Sequence, residues 1–585
     1  MKSLKLLLPM LALSGLAGAQ NPKLSAELQS LGSSGQVHVI VQYNHMPTAA
    51  DHARICGPDG VFHAHLASVA GGAYTLPAAS LSAVANDASV THVSIDHPIQ
   101  ARLDYATAAT NATVANSLGY TGAGVGVAVI DSGIAPSADF ASRVVFTLDF
   151  IGGNGMDAFG HGTHVAGIIG GNGANSHCAS CTRDLKGMAP GVNLLNFRVL
   201  DQYGMSTDST IIAAINYAIS LKNTYNIRVI NLSVGRPVFE SYTVDPLCQA
   251  VEAAWKAGIT VVVAAGNDGR FNYVNNNGYG TINSPGNDPY VITVGAMKTE
   301  ETYDRADDQI ASYSSKGPSL IDYVAKPDLV APGNKIVSVL ASTSATLPKL
   351  APGNIVSTNY YNSKGSASVK SPYYMSLSGT SMAAAVVSGA VADLLQAQPS
   401  LTPDQVKARL MYTAYKSFPA VSVAYDSTTG QSFTDYYDAL SRGAGYLDLA
   451  AALQSNVLGF GSSLSPTLQF NSFLRMVNMQ VNLSSVWNLA GPFGALAPMN
   501  VWGPTAVGFG NQVTCAQTTS VVNAASTSNS ALSAAWGTSA AWGTSAAWGT
   551  SAAWSTSAVW GTATNVATAT SAVWATSSPT LAGEN

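Results

Sequence analysis

One serine of this chain, Ser381, has the sequence surroundings of a nucleophile. It lies in the stretch Ser-Gly-Thr-Ser-Met-Ala-Ala-Ala, residues 378–385, where the small residues after the serine predict a helix. The first N–H groups of such a helix would point toward negative charge, and a serine placed there could attack a carbonyl. The same tripeptide is also an ordinary turn before a core helix, so residues elsewhere must decide between the two interpretations.

Three other residues are of types that could assist such a serine. Asp131 directly follows Val-Ile at the end of a predicted strand, a place where Asp is also a common cap or turn former. His161 stands at a glycine-flanked helix start in Gly-His-Gly-Thr-His-Val-Ala-Gly. Two histidines three residues apart could indicate a metal site, but no Glu-x-x-His pattern accompanies them. We therefore interpret His161 as functional and His164, which lies among apolar residues, as structural. Asn267 follows another predicted strand, where a side-chain amide is either a turn residue or a donor suited to an oxyanion.

The segments that must position these residues alternate between short apolar runs and helical patterns. Buried strands are predicted at 125–130, 192–200, 228–234, 259–264 and 291–294. Helices are predicted at 165–169, 209–221, 247–257 and 383–396. This alternation predicts an α/β domain with a mostly parallel sheet and helices on both faces. Sites in such sheets lie at the carboxyl ends of the strands, which is where Asp131 and Asn267 fall.

The order of the candidate residues along the chain is Asp131, His161, Ser381, which is the order of subtilisin and not that of chymotrypsin or the α/β-hydrolases. Over about residues 116–455 the chain resembles the subtilisin-like serine proteases, the subtilase family. The motifs that carry the resemblance are Val-Ile-Asp-Ser-Gly, Gly-His-Gly-Thr-His-Val-Ala-Gly, Ala-Ala-Gly-Asn and Gly-Thr-Ser-Met-Ala. Supporting stretches lie at 198–201, 231–235, 312–317 and 326–333.

The resemblance implies a serine endopeptidase acting on proteins or peptides. Ser381 would be the nucleophile, His161 the base and then the acid, and Asp131 the residue that fixes the imidazole. Asn267 and the Ser381 N–H would hold the oxyanion. The edge that pairs with extended substrate by strand addition would be formed by Ser233, Val234 and Gly235. The pocket for the residue before the cut would be walled by Ala264, Ala265 and Gly266, whose small size predicts a broad, mostly apolar preference.

Two stretches depart from the family pattern. After Met-Ala the family has a variable residue, then Pro and His, whereas this chain has Ala384, Ala385 and Val386; because Ala favours helix, we expect the helix to persist. The segment between Gly333 and Gly379 is long and rich in Ser, Thr and Asn, which predicts a surface insertion. The implied chemistry requires no cofactor. The resemblance leaves a structural calcium open, because calcium is common in the family and Asp139 lies near the place of a frequent ligand.

The start of the chain predicts export. Residues 1–19 combine a basic beginning, an apolar run and Ala-Gly-Ala, the pattern of a signal peptide, so we expect a secreted, extracellular protein. The apolar run is shorter than the roughly 20 residues that span a bilayer, so no transmembrane anchor is predicted. Charged residues make up only 10% and the net charge is −5, which argues against nucleic-acid binding.

Residues 20–105 are predicted to form a small α+β unit, with strands at 36–43, 73–76 and 90–95 and helices at 62–73 and 78–86. This unit resembles the family's inhibitor-like propeptide, which acts as a fold chaperone and is then removed. An Ala-, Thr- and Asn-rich linker up to about residue 116 predicts the processing site. The catalytic domain would occupy residues 106–455.

Residues 456–585 form a C-terminal extension of different composition. Tryptophans recur every six residues at Trp536, Trp542, Trp548, Trp554 and Trp560. In a strand these rings would share one face, giving an aromatic ladder or a surface-binding strip. A flexible low-complexity tail is the alternative. If the tail binds surfaces, the chain could also be a catalytically silent scaffold or adhesin; an esterase using the same residues is disfavoured by the peptide-pairing edge.

The chain has five cysteines. Cys178 and Cys181 stand close together with no second metal-like pair, which predicts a local disulfide in an exported protein. If Cys56 leaves with the propeptide, four cysteines remain and could pair in three ways.

Overall fold

The computed structural model describes residues 21–25, 28–29, 33–95, 105–271, 276–426, 429–459, 461–471, 476–480, 506–507, 571–572 and 584. The chain divides into two compact units, Met1–Gln100 and Ala101–Asn585. The predicted signal peptide, Cys515 and the tryptophan repeats lie outside the described residues.

The first unit contains a four-stranded antiparallel sheet with the order β2-β3-β1-β4. Its elements are β1 (Gln36–Tyr43), α1 (Ala49–Cys56), β2 (Val61–Leu66), β3 (Gly71–Pro77), α2 (Leu81–Asn86) and β4 (Val90–Ile95). The predicted strands at 36–43, 73–76 and 90–95 are confirmed, and the predicted helix at 78–86 is a single 3-10 turn followed by α2.

The predicted helix at 62–73 is wrong, because this segment forms β2 and the beginning of β3. Phe62 lies opposite Tyr74 of β3, with ring centroids 5.6 Å apart, and such cross-strand pairs stabilise an extended segment whose own pattern is ambiguous. Helix α1 was not predicted, although its capping box carries a sequence signal: Thr48 accepts from the Asp51 N–H, and the Asp51 carboxylate accepts from the Thr48 N–H.

The second unit is built on an eight-stranded sheet in which only β12 runs antiparallel to its neighbour. The strand order is β12-β11-β10-β9-β5-β7-β6, and β13 pairs in parallel with β11. The strands are β5 (Gly126–Asp131), β6 (Val144–Asp149), β7 (Asn193–Arg198), β9 (Ile227–Leu232), β10 (Thr260–Ala264), β11 (Ile292–Lys298), β12 (Gln309–Ile310) and β13 (Leu329–Pro332). The two-residue strand β8 (Met205–Ser206) lies outside this sheet.

The helices of this unit are α3 (Tyr105–Ala109), α4 (Ala112–Ser117), α5 (His161–Gly170), α6 (Asp208–Ser220), α7 (Lys222–Tyr225), α8 (Pro246–Lys256), α9 (Thr346–Leu350), α10 (Thr380–Ala397), α11 (Pro403–Thr413) and α12 (Leu449–Gln454). The predicted α/β sheet and its four helices are therefore confirmed. Helix α10 is also unbroken through Ala384 and Val386, as predicted. By length and composition alone α10 could cross a membrane, but most of it is buried inside the protein, as in the core helix of a folded domain.

The structure corrects one prediction about connecting segments and adds detail to another. From Tyr105 onward the predicted linker forms α3 and α4, because Ala106, Ala112 and Ala115 are small, favour helix and pack into the core of the second unit. The predicted insertion before Gly379 is an ordered three-stranded antiparallel sheet, since apolar residues such as Ile336 and Met375 are buried. Its strands are β14 (Ile336–Val339), β15 (Ile355–Ser357) and β16 (Lys370–Leu377).

Besides α12, the described part of the chain beyond α11 contains short antiparallel strand pairs. One hairpin joins β17 (Val421–Asp426) to β18 (Gln431–Tyr436). A three-stranded sheet contains β19 (Thr467–Asn471), β20 (Met476–Gln480) and β21 (Ala506–Val507). The last strand, β22 (Ser571–Ala572), pairs with β8.

Candidate active site

The carboxyl ends of three neighbouring strands bring the predicted residues together. Strand β9 lies between β5 and β10, so Asp131 at the end of β5, Ser233 after β9 and Asn267 after β10 share one edge of the sheet. Helices α5 and α10 pack against each other, and their first turns carry His161 and Ser381. The fold therefore gathers the candidate residues from widely separated parts of the chain.

Asp131 and His161 are in direct contact. The Nδ1 atom of His161 lies 2.8 Å from Oδ1 of Asp131, and both side chains are completely buried. The Ser132 N–H also donates to this oxygen at 2.7 Å. Helix α5 can approach β5 this closely because Gly162 has no side chain: a Cβ atom there would lie 2.3 Å from the carbonyl oxygen of Gly133. The contact leaves Nε2 of His161 as the nitrogen available to a reacting group.

The first turn of α5 is held by a carboxylate that the sequence interpretation missed. Asp157 accepts from the N–H groups of Gly160 and Thr163 at 2.6 and 2.8 Å, and from the hydroxyls of Thr163 and Ser132 at 2.7 and 2.8 Å. Complete burial raises the pKa of Asp157, and its hydrogen-bond donors oppose that shift. The sequence signal for such a carboxylate was the glycine at the N-cap of α5. Gly160 has no side chain to accept hydrogen bonds from the first N–H groups of the helix, so another residue must do so.

Ser381 occupies the first turn of α10, and its Oγ donates to the carbonyl oxygen of Ser233 at 3.3 Å. Among the described residues, Nε2 of His161 has no hydrogen-bond partner. Gly379 precedes the helix with φ of 150°, a conformation that favours glycine, and its N–H donates to the carbonyl of Gly333 at 2.8 Å. The turn that presents the serine is thus held by the backbone of Gly333.

A hydrogen-bond chain runs from the middle of α10 to Ser381. Ser388 donates to Oδ1 of Asn231 at 2.8 Å, and Nδ2 of Asn231 donates to Oγ of Ser233 at 2.9 Å. The Ser233 hydroxyl in turn donates to the carbonyl oxygen of Ser381 at 2.9 Å. All of these side chains are buried. Asn231 could have been noticed in the sequence, because it is an amide side chain within the otherwise apolar strand β9. A buried polar group of this kind needs hydrogen-bond partners.

Asn267 is oriented by the residue before the serine. Its Oδ1 accepts from the N–H and the hydroxyl of Thr380 at 2.9 and 3.1 Å. Its Nδ2 lies 3.3 Å from the place where a Cβ of Gly379 would be. Because Thr380 fixes the acceptor end of the amide, the donor end is directed along the Ser381 turn. The predicted oxyanion donor and the predicted nucleophile therefore lie side by side.

The predicted substrate-binding residues follow the same two strands. Val234 and Gly235 continue directly from Ser233 after β9 and are buried. Ala264 ends β10, Ala265 follows it directly, and both are also buried. The next residue, Gly266, has φ of 112°, and its N–H donates to the Thr380 hydroxyl at 3.1 Å. The structure thus places both predicted segments beside the Ser381 turn.

His164, one helical turn after His161, is held within the core. Its Nε2 lies 3.0 Å from the carbonyl oxygen of Ile336 and 3.2 Å from that of Met375. Burial, assisted by the nearby His161, lowers the pKa of His164 to about 3. The side chain is therefore neutral and joins α5 to the small sheet of β14 and β16.

Both carboxylate oxygens of Asp139 accept hydrogen bonds from the protein. Its Oδ1 accepts from the N–H of Asn175 at 2.8 Å, and its Oδ2 accepts from the hydroxyl of Tyr374 at 2.7 Å. Burial raises the pKa of this carboxyl. Among the described residues, no three His, Cys, Asp or Glu side chains form a group that could hold a metal ion.

The cysteine prediction is confirmed for one pair. Cys178 and Cys181 form a disulfide. Cys248 is a free, buried thiol that donates to Oδ1 of Asn287 at 3.4 Å, and Cys56 is also free within the described part of the chain.

The comparisons with known proteins agree on this unit. The family model described as subtilase family, Peptidase_S8, matches residues 122–459. Serine protease AprX of Bacillus subtilis is 36% identical over 340 residues, which cover 57% of this chain and 71% of that protein. Subtilisin DY of Bacillus licheniformis is 33% identical over 57% of this chain and 93% of its own length. The extracellular serine proteinase of a Thermus species is 33% identical over 62% of this chain and 76% of its own length.

Among solved structures, a cold-adapted subtilisin-like serine proteinase is similar at 26% identity and a TM-score of 0.37, covering 56% of this chain and 89% of that one. The assignment rests on the family model and the curated relatives. Together with the α/β fold, they define the protein as a serine endopeptidase. The chain belongs to the subtilase family.

Proposed function

We propose that the chain is a secreted endopeptidase in which Ser381, His161 and Asp131 form the catalytic triad. The observation that carries the proposal is the buried 2.8 Å contact between Nδ1 of His161 and Oδ1 of Asp131, beside the first turn of α10. In the proposed triad, Nδ1 of His161 donates its proton to Asp131, and Nε2 accepts a proton from Ser381.

The first half of the reaction transfers the acyl group to the enzyme. The Ser381 hydroxyl leaves the Ser233 carbonyl and turns to Nε2 of His161, since such contacts tighten only when substrate binds. Nε2 takes the hydroxyl proton as Oγ bonds to the peptide carbonyl carbon, and the carbonyl electrons move onto oxygen. Asn267 and the Ser381 N–H stabilise that oxyanion. When the oxyanion collapses, the C–N bond breaks, and His161 gives its proton to the leaving amine.

The second half hydrolyses the acyl-enzyme. His161 accepts a proton from water, and the resulting nucleophile attacks the ester carbon. Collapse of the second oxyanion releases the carboxylic acid and returns the proton to Ser381. Asp131 stabilises the imidazolium in both halves and keeps its own charge.

Substrate would bind in extended form along Ser233–Gly235, with the residue before the cut against Ala264–Gly266. The small side chains of that wall favour a broad, mostly apolar preference. A positional peptide library would contradict this by showing strict selection for acidic or basic residues.

We further propose that residues 1–19 direct export and that residues 20–105 are an inhibitory propeptide removed on activation. The separate compact unit Met1–Gln100, with its own four-stranded antiparallel sheet, supports this division of the chain. Sequencing the amino terminus of the secreted product tests the cut; a start before residue 60 would overturn it.

The decisive test of the proposed function is casein hydrolysis by the secreted protein. We expect Ser381→Ala and a serine-directed phosphonate each to abolish it. The phosphonate should label the parent at Ser381 and leave Ser381→Ala unlabelled. A secreted, processed and folded protein that is inert and unlabelled would favour a scaffold instead.

A further inference from the structure

A second binding site of the catalytic unit lies around the carboxylate of Glu584, whose side chain is only 1% exposed. Nη2 of Arg270 lies 2.8 Å from Oε1 of Glu584. The Ser312 N–H donates to Oε2 at 2.8 Å, and the Ser312 hydroxyl donates to Oε1. Both carboxylate oxygens are therefore bound, one of them by a cation, which is the pairing that selects a carboxylate over neutral groups.

The main chain of Glu584 is bound as well. Nδ2 of Asn334 donates to the Glu584 carbonyl oxygen at 2.8 Å, and the Glu584 N–H donates to Oδ1 of Asn334 at 2.8 Å. One amide side chain thus binds both polar groups of a single residue and fixes the direction of the chain. Such a clamp recognises an extended peptide, while Arg270 and Ser312 recognise the acidic side chain.

Arg270 also has partners other than Glu584. Nε of Arg270 donates to the Ser312 hydroxyl at 2.6 Å, and Nη1 pairs with Asp426 at 2.8 Å. The guanidinium also lies over the Phe433 ring, 4.5 Å from its centroid. These contacts come from β17, β18 and the loops after β10 and β12, so Arg270 is held in place by structure independent of Glu584. A preorganised cation binds a carboxylate with little ordering cost.

The site lies directly behind the turn that carries Ser381. Asn334 stands between Gly333, whose carbonyl accepts from the Gly379 N–H at 2.8 Å, and Lys335, whose N–H donates to Oγ of Ser378 at 2.8 Å. A peptide bound to Asn334 therefore contacts the segment that positions the nucleophile turn.

A second contact identifies the occupant as this chain's own C-terminal extension. Strand β22, twelve residues before Glu584, pairs antiparallel with β8, with Ser571 opposite Ser206 and Ala572 opposite Met205. The extension therefore meets the catalytic unit at two places, by strand addition at β8 and by the carboxylate site at Glu584.

We propose that Arg270, Ser312 and Asn334 form a receptor site for an acidic peptide segment, and that Glu584 of the same chain is its ligand. The site ties the C-terminal extension to the catalytic unit behind the Ser381 turn. It uses no residue of the proposed triad and does not depend on the peptidase reaction.

The test is hydrogen–deuterium exchange of the Glu584 amide in the full chain, with Ser381→Ala in every sample so that the chain stays intact. In the parent this amide is expected to be protected by Asn334. Glu584→Gln keeps the shape but removes the charge, and should raise the exchange rate at least about 10-fold, the effect of losing charge-assisted hydrogen bonds. Asn334→Ala and Arg270→Met should do the same.

The matched control is Arg305→Met. Arg305 resembles Arg270 in exposure, 13% against 14%, and in pairing with a carboxylate, Asp448, at 2.9 Å. It should leave Glu584 exchange unchanged. An unprotected Glu584 amide in the parent, or equal exchange in Glu584→Gln and the parent, would overturn the proposal. Should Arg270→Met also expose the amides of β11, that variant is locally unfolded and Glu584→Gln alone decides.

Discussion

Replacing Asp157 with Asn should impair both the stability and the activity of the protease, because this carboxylate holds the first turn of α5. Its Oδ1 accepts from the Gly160 N–H and the Ser132 hydroxyl, and its Oδ2 accepts from the N–H and the hydroxyl of Thr163. An amide keeps one oxygen and turns an NH2 group toward the other pair of donors. At about 1.5–3 kcal/mol for each hydrogen bond to a charged group, losing two costs about 3–6 kcal/mol.

The activity loss follows from the position of His161 at the start of the same turn. A displacement of about 1 Å in a catalytic group lowers the rate roughly 10²-fold. We expect Asp157→Asn to lower kcat on a chromogenic peptide by that order with little change in KM. Stability would be measured by urea unfolding in the Ser381→Ala background, which prevents autolysis.

Asp149→Asn is the matched control for this experiment. Asp149 also accepts several hydrogen bonds, from Ile151 and Gly155 at 3.0 Å and from Arg198 at 2.7 Å, but it lies away from α5. It should lower stability and leave kcat near the parent value. If Asp157→Asn lost stability to the same degree and kept full kcat, the carboxylate would not position His161 and the reasoning would be refuted.

Two further predictions concern α10 and its neighbours. Asn267→Ala should lower kcat about 10²–10³-fold, the magnitude found for the oxyanion amide of subtilisin. Asn267→Asp, which keeps the oxygen that binds Thr380, should lose as much; an active Asn267→Asp enzyme would show that only the anchoring of α10 matters. Burial raises the pKa of Asp393 well above its ordinary value, and neither of its oxygens has a hydrogen-bond partner within the described structure. The folded state then keeps a proton that the unfolded state releases, so parent stability falls as pH rises above the unfolded pKa of about 3.9. The free energy of unfolding of Asp393→Asn, measured in urea, should therefore rise relative to that of the parent by about 1.4 kcal/mol as the pH is raised from 4.5 to 5.5. Parallel pH profiles of the two proteins would contradict the burial argument.

The strands and helices of the catalytic unit could be predicted from the sequence because their signals are local. The buried strands read as short apolar runs, and helices such as α8 lie between them in the chain. The errors arose where a distant partner decides the conformation. Residues 62–66 became a strand because β3 lies beside them, and the predicted linker from Tyr105 became helical because its alanines pack into the core.

Positioning residues were missed for a related reason. Asp157 and Ser388 occupy unremarkable sequence positions, and their importance lies in the donors and acceptors that folding brings to them. Gly160 indicates that the start of α5 needs a capping partner, but the sequence does not show which carboxylate supplies it.

The sequence by itself determined the residue types, the order Asp131, His161, Ser381 and the parallel α/β class, because motifs and periodicity are properties of neighbouring residues. Only the tertiary structure decided that β9 lies between β5 and β10, which sets Asp131, Ser233 and Asn267 along one edge. Only the tertiary structure shows that the Ser381 hydroxyl donates to the Ser233 carbonyl and that Glu584 pairs with Arg270, which is 314 residues away in the sequence. Such contacts depend on strand order and side-chain packing, and these are set by the free energy of the whole fold.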